Sequence, residues 1–247
     1  MKNIGLPGLL MIALALLCVL LVLWGLRKAL TRTGWDRPSQ QAVFTGTALA
    51  IAGWLVLLTV LSLAGFFRHF TTLPPRPLFA ILVPAILLVI LSFRKKCIEL
   101  LRVTPPHWLV VMQGFRIVVE IQLWLAFTRG LLPVQMTFEG RNYDIISGLL
   151  GLLAGWLMWR FKPYQQTIAL IYNIIGLALL LNILVIAALS MPGPARYFMN
   201  EPANTIVAEF PFIFLPGGLV VLAIMLHVFS LRQVFLRQGV LSGAKIL

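Results

Sequence analysis

The sequence predicts an all-α polytopic integral membrane protein, a bundle of about seven transmembrane helices, on three observations. Of 247 residues, 60% are hydrophobic and 11% charged, against about 45–50% and about 25% in soluble domains. Apolar runs of about 20 residues recur, the length that a hydrocarbon core about 30 Å thick demands of a helix rising 1.5 Å per residue. The connections between these runs are short and basic. Backbone groups in lipid must bond within their own segment, so the runs are read as helices.

The first span is placed near residues 5–26. Its apolar run exceeds that of a signal peptide and is followed by Arg27 and Lys28, so it reads as a retained helix. The second falls near 42–66 and the third near 76–93, with Pro77 and an interior Pro84. The fourth, near 106–127, carries Arg116 and Glu120. The fifth, near 142–160, is apolar only from Ile145 to Trp159, roughly 22 Å of helix. It is expected to recruit the preceding FEGRNYD stretch in order to cross. The sixth lies near 165–190. The seventh, near 210–231, contains Pro211 and then Pro216, Gly217 and Gly218, which should break its backbone ladder.

Charge sets the expected orientation. The net charge of +13 would suggest nucleic acid in a soluble chain. Here thirteen Lys and Arg fall in connections on one side and six on the other. The positive-inside rule then puts the N-terminus out and the C-terminus in, with anionic headgroups as the partner of the basic side and no nucleic acid. A bacterial cytoplasmic (inner) membrane fits this pattern. Acidic residues run the other way, with Glu139, Asp144, Glu201 and Glu209 toward the outer side.

The whole chain, 1–247, reads as one transmembrane domain. PLFAILVPAILLVI in span three and PFIFLPGGLVVLAI in span seven match loosely, which allows a 3+1+3 arrangement of 1–97, 103–130 and 138–247. Cys18 and Cys97 fit neither a disulfide framework nor a metal cluster, and the sequence implies no particular cofactor.

The candidate chemistry lies in the polar residues the bilayer tolerates. Gln113, Arg116, Glu120 and Trp124 share one helical stripe. Charges at that depth face the bundle interior and mark functional sites by default. Arg116 and Glu120 read either as an anion clamp and a protonatable carrier, or as a self-neutralising i, i+4 pair. Asn142 can cap the fifth helix, with Glu139, Arg141 and Asp144 beside it. With Asn204 and Glu209 from the 191–212 loop, these eight residues are the candidate ligand-binding set. That loop is expected to fold back on the outer surface, with a short helix starting at Asn204. Ser147, Gly151 and Gly155 form a small-residue ridge for close intramolecular packing. His107 and His227 are read as interfacial residues at similar cytoplasmic depth, and Asn173 as polar glue between helices.

Three functions are compatible with this reading. The leading expectation is a membrane transport or binding protein for a small polar molecule or ion, with an outward-facing cavity around an intramembrane Arg/Glu pair. The alternatives are a non-catalytic membrane subunit or receptor, in which the same residues are structural, and a membrane-embedded lipid-modifying enzyme. No paired-acid repeat, Ser/His turn or metal-spaced histidine cluster supports the last.

Overall fold

The computed structural model describes residues 5–243, with side chains to Arg237, and every regular element among them is helical. Lys2 and Lys245, counted above for orientation, lie outside the described residues. Helix α1 spans Gly5–Leu30 and α2 Arg37–Leu63. Asp36 starts α2, its carboxylate accepting the Ser39 N–H at 3.2 Å, with proline in the first turn. Much of α2 faces outward through Leu49, Val56, Val60 and Leu63.

A 3-10 turn at Arg76–Leu78 leads into α3, Phe79–Ser92, after which the chain bends by 80° into α4, Lys95–Val103. Helix α5, Pro106–Val111, one 3-10 turn at Met112–Gly114 and α6, Phe115–Thr128, make one long segment. Then come α7, Asp144–Arg160, and α8, Gln165–Leu189. A π-helical stretch, Leu215–Val220, continues directly into α9, Val221–Gly243.

Five of these segments are long and apolar enough to cross a membrane: Gly5–Leu30, Arg37–Leu63, Pro106–Thr128, Lys162–Leu189 and Leu215–Arg237. The bent pair Arg76–Ser92 and Lys95–Val103 makes a sixth if taken as one span. Helix α7 has 17 residues, roughly 25 Å at 1.5 Å per residue. The chain is thus an all-helical membrane protein, and seven uniform spans are more than its helix lengths display.

Helix α7 does not lengthen by recruiting FEGRNYD. Residues 138–143 form turns instead, with the Gly140 and Asn142 amides both donating to Thr137 O, at 2.9 and 3.2 Å. Gly140 lies so close to the 134–135 backbone that a Cβ there would stand 2.3 Å from Val134 O. The helix begins at Asp144, where Asn142 Oδ1 accepts the Asp144 N–H at 3.0 Å.

The glycine ridge of α7 packs inside the molecule. A Cβ on Gly148 would approach Ile117 Cγ1 to 2.7 Å, one on Gly151 would meet Val110 O at 3.0 Å, and one on Gly155 would strike Val111 Cγ2 at 2.1 Å. This close approach sets α7 against α5 and α6. The break in the last span is the π-helical stretch. Its Gly217 carbonyl accepts the Trp54 Nε1–H of α2 at 2.7 Å, so a helix irregularity is satisfied by its neighbour.

The 191–212 loop is on the surface only in its first part, where Tyr197 and Met199 are exposed, and its second part turns into the bundle. One 3-10 turn, Ile206–Ala208, follows Thr205, and all three of its residues are buried, as are Ala203 and Asn204. Burying these apolar side chains outweighs the looseness of the segment. The connections 64–75, 129–143 and 190–212 join at one end of the bundle. Arg68 holds Glu209 at 2.7–2.8 Å, Asn200 donates to Gln135 at 2.7 Å, and Gln135 donates to Ser190 at 2.9 Å. Together they form a cap.

Candidate functional site

Beneath that cap, Arg116 lies in the bundle interior with 2% of its surface exposed. All five of its N–H donors are directed at acceptors. Nε donates to Asp144 Oδ2 at 2.7 Å, and Nη2 bonds Asp144 Oδ1. Nη1 donates to Ser147 Oγ at 2.6 Å and to His227 Nε2 at 3.2 Å, while Nη2 also reaches Gly176 O at 3.4 Å. Helix α7 supplies Asp144 and, one turn later, Ser147. Helix α8 supplies Gly176, and the want of a side chain there admits the imidazole: a Cβ would sit 2.6 Å from His227 Cε1.

The guanidinium fixes the histidine tautomer. An arginine can only donate, so His227 Nε2 is the acceptor and Nδ1 carries the hydrogen. Nδ1 donates to Asn173 Oδ1 at 2.8 Å. Asn173 Nδ2 in turn donates to Ser230 Oγ at 2.8 Å and Ala169 O at 2.7 Å. His227 is therefore neutral and fully buried at the centre of the bundle. The interfacial depth expected for it is corrected: the last span runs to Arg237, which leaves residue 227 near its middle. His107, by contrast, lies in the first turn of α5.

The Arg/Glu pair is likewise corrected. Arg116 pairs with Asp144 rather than with Glu120 on its own helix. The planar fork of a guanidinium matches a carboxylate approaching from another helix, whereas Arg followed by Glu at i+4 is the weaker order along a helix. Glu120, 1% exposed, accepts instead from Asn142 Nδ2, with both carboxylate oxygens at 2.7 Å. Asn142 thus joins α6 to the start of α7, its Nδ2 also reaching Met136 O at 3.0 Å.

The result is one buried cation and two buried acids. Among the described residues the ion pairs are Arg68–Glu209, Arg116–Asp144 and Arg196–Glu201, and none includes Glu120. Glu120, Arg116 and Asp144 border a cavity of about 70 Å³ whose other walls include Phe115, Val119, Leu180 and Leu219. One water needs about 10–15 Å³, so the space takes several waters or a small ligand.

Of the eight candidates, Arg116, Glu120, Asn142 and Asp144 come together. The other four belong to the cap or its edge. Glu139 accepts the Trp124 Nε1–H at 2.5 Å, the Arg141 guanidinium lies 5.4 Å from the Phe198 ring centre, and Glu209 is held by Arg68. Asn204 is buried, its Nδ2 donating to Ala187 O at 3.2 Å and its Oδ1 without a partner. Ser147, Asn173, Gly176, His227 and Ser230 were missed as members of the cluster. Their only signal is a polar or small residue at mid-span, which ordinary helix packing also produces.

Residues 73–235 match the model of the family described as Domain of unknown function (DUF8737). No curated protein and no solved structure matches the chain. The matched region runs from the approach to α3 into α9 and contains every residue of the buried cluster. Since the match covers more than half of the chain, the protein belongs to the DUF8737 family of domains of unknown function.

Proposed function

We propose that this protein is a membrane transport or binding protein for a small polar molecule or ion, and that Glu120 is the group its ligand or proton engages. The observation that carries this reading is the cavity bordered by Glu120, a buried carboxylate with no cation within 4 Å among the described residues. Buried charges without a counter-charge are expensive, and ionisable groups at membrane depth serve ligands or protons by default.

In this proposal the chain crosses seven times, with the bent pair and α7 each counted as a span. The N-terminus and cap face outward in a bacterial cytoplasmic membrane, and Glu139, Arg141 and Glu209 flank the way in, with Asn204 buried in the cap beside it. The basic connections meet anionic headgroups on the inner side.

The test uses the purified full chain in proteoliposomes with dicyclohexylcarbodiimide, which modifies buried protonated carboxyl groups. Modification of Glu120 in the wild type, together with a proton-linked dye signal that Glu120→Gln abolishes, supports the reading. An unmodified Glu120 and identical signals from both proteins overturn it. A structural subunit is the second reading, favoured by the saturation of Arg116, whose five donors bind α6, α7, α8 and α9 together. It predicts no proton-linked signal from the wild type, and Glu120→Gln and Arg116→Gln variants that are each destabilised.

A further inference from the structure

We infer that the ligand of this cavity is a small organic monocation, a protonated amine with a compact apolar body, taken up in exchange for a proton on Glu120. This rests on the reading of the cavity as a ligand site and names the chemistry of its occupant.

Three features of the cavity exclude the other ligand classes. The first is Arg116. A guanidinium has five N–H donors, and all five are spent on Asp144, Ser147, His227 and Gly176 O. It borders the cavity but has no donor left for an anion, and the acid it neutralises is Asp144. An anionic ligand would therefore enter beside Glu120 without a free cation to receive it.

The second is Glu120. A carboxylate offers about four acceptor positions, and the protein partner recorded on its two oxygens is the Asn142 Nδ2 group, which it shares with Met136 O. The carboxylate retains accepting capacity on the cavity wall. The ligand must bring donors, and one that also carries a positive charge, as an ammonium group does, can take the place of the proton on Glu120.

The third is the rest of the lining. Beyond Arg116, Glu120 and Asp144 it is carbon-rich, with Phe115, Val119 and Leu219 among its walls. A bare, strongly hydrated inorganic ion finds too few oxygens there to replace its water shell. An amine attached to a short hydrocarbon satisfies both ends of the cavity.

The exchange balances. Empty, the site holds Glu120 as the neutral acid, because a lone buried carboxylate is neutralised by a proton. On binding RNH₃⁺, the Glu120 O–H bond breaks, its proton leaves to water, and the carboxylate faces the ammonium. One positive charge enters and one leaves, so the charge of the buried cluster is unchanged.

The test uses the purified full chain in lipid nanodiscs with n-butylammonium as probe, and with butyrate and 1-butanol as anionic and neutral counterparts of similar length. Binding is read as protection of Glu120 from carbodiimide and as proton release in weak buffer. We expect n-butylammonium to protect and to release about one proton per protein. Butyrate and butanol should bind at least tenfold more weakly, and Glu120→Gln should lose at least tenfold in n-butylammonium affinity. Proton release by the wild type keeps the inference testable should that variant fail to fold. If butyrate or butanol protects as well as the amine, the cavity remains a ligand site but the cation inference is overturned. If none of the three protects and no proton is released, the ligand-site reading falls with it.

Discussion

Arg116 of α6 and Asp144 of α7 meet as a two-nitrogen, two-oxygen fork in the bundle interior, with 2% and 5% of their surfaces exposed. The pair joins the first turn of α6 to the first residue of α7, and the 129–143 connection must close over it. It also takes Arg116 out of reach of Glu120, which separates a stabilising role from a ligand-engaging one.

Removing one member of the fork strands the other. Arg116→Gln should destabilise the protein by about 3–5 kcal/mol, the cost of leaving a buried charge unpaired. Arg116→Lys should recover little, since an ammonium cannot reproduce the bidentate contact. Thermal unfolding in detergent checks both. In the double variant Arg116→Leu/Asp144→Leu, the loss should fall short of the summed single losses by about 0.5–3 kcal/mol, and strict additivity would rule out the coupling.

Glu120→Gln should behave differently. The amide oxygen still accepts from Asn142, so stability should change by no more than about 1–2 kcal/mol. A loss as large as that of Arg116→Gln would place Glu120 in the structural framework instead.

The glycines of α7 and α2 offer a contrast in packing. Gly148→Ala forces a methyl to within 2.7 Å of Ile117 Cγ1 and 2.9 Å of its backbone N, and should cost about 1–3 kcal/mol. Gly53→Ala in α2 meets nothing within 4 Å and should be neutral, or stabilising by up to about 1 kcal/mol through helix propensity. Melting temperatures of the two variants in one detergent decide the matter.

Trp54→Phe removes the side-chain donor to Gly217 O in the π-helical stretch. A cost of about 1–3 kcal/mol follows, with faster amide exchange localised to residues 215–220. Unchanged exchange there would show that the stretch does not depend on α2.

Asp36, at the exposed start of α2, carries a pH dependence. The hydrogen bonds from Ser39 hold its carboxyl below the usual carboxylate range. Its folded pKa lies below the unfolded one, so the cap is in place above the ordinary carboxylate value and is lost as pH falls through the lower folded value. The Ser39 amide resonance should titrate with a midpoint below the ordinary carboxylate value. In Asp36→Asn that titration should vanish while the cap persists.

Much of this architecture is legible in the residues. A helix is demanded wherever some 20 apolar residues run together, because no other arrangement of a single segment satisfies its backbone in lipid. Pro216, Gly217 and Gly218 announce an irregular turn through local chemistry alone, and the glycines of α7 announce a close approach. Arg116, Glu120, Asn142 and Asp144 stand out because charge and polarity at membrane depth are costly, so their presence alone sets them apart. The glycine that makes room for His227, the histidine itself and Asn173 carry no such mark, since the same residues occur in helices that merely pack.

What the sequence determined by itself, then, is the all-helical membrane character, the irregular stretch at Pro216, Gly217 and Gly218, and the short roster of polar residues that had to be buried, while the 80° bend between α3 and α4 was not announced. Which of those residues touch was decided only by the tertiary structure. Residues 116 and 120 share a face by helical period, and 144 and 227 are far away along the chain. The partner of Arg116 depends on how α6, α7, α8 and α9 cross and on where α7 begins. Those crossings are set by many weak packing contacts among distant residues, and a linear pattern holds no record of them.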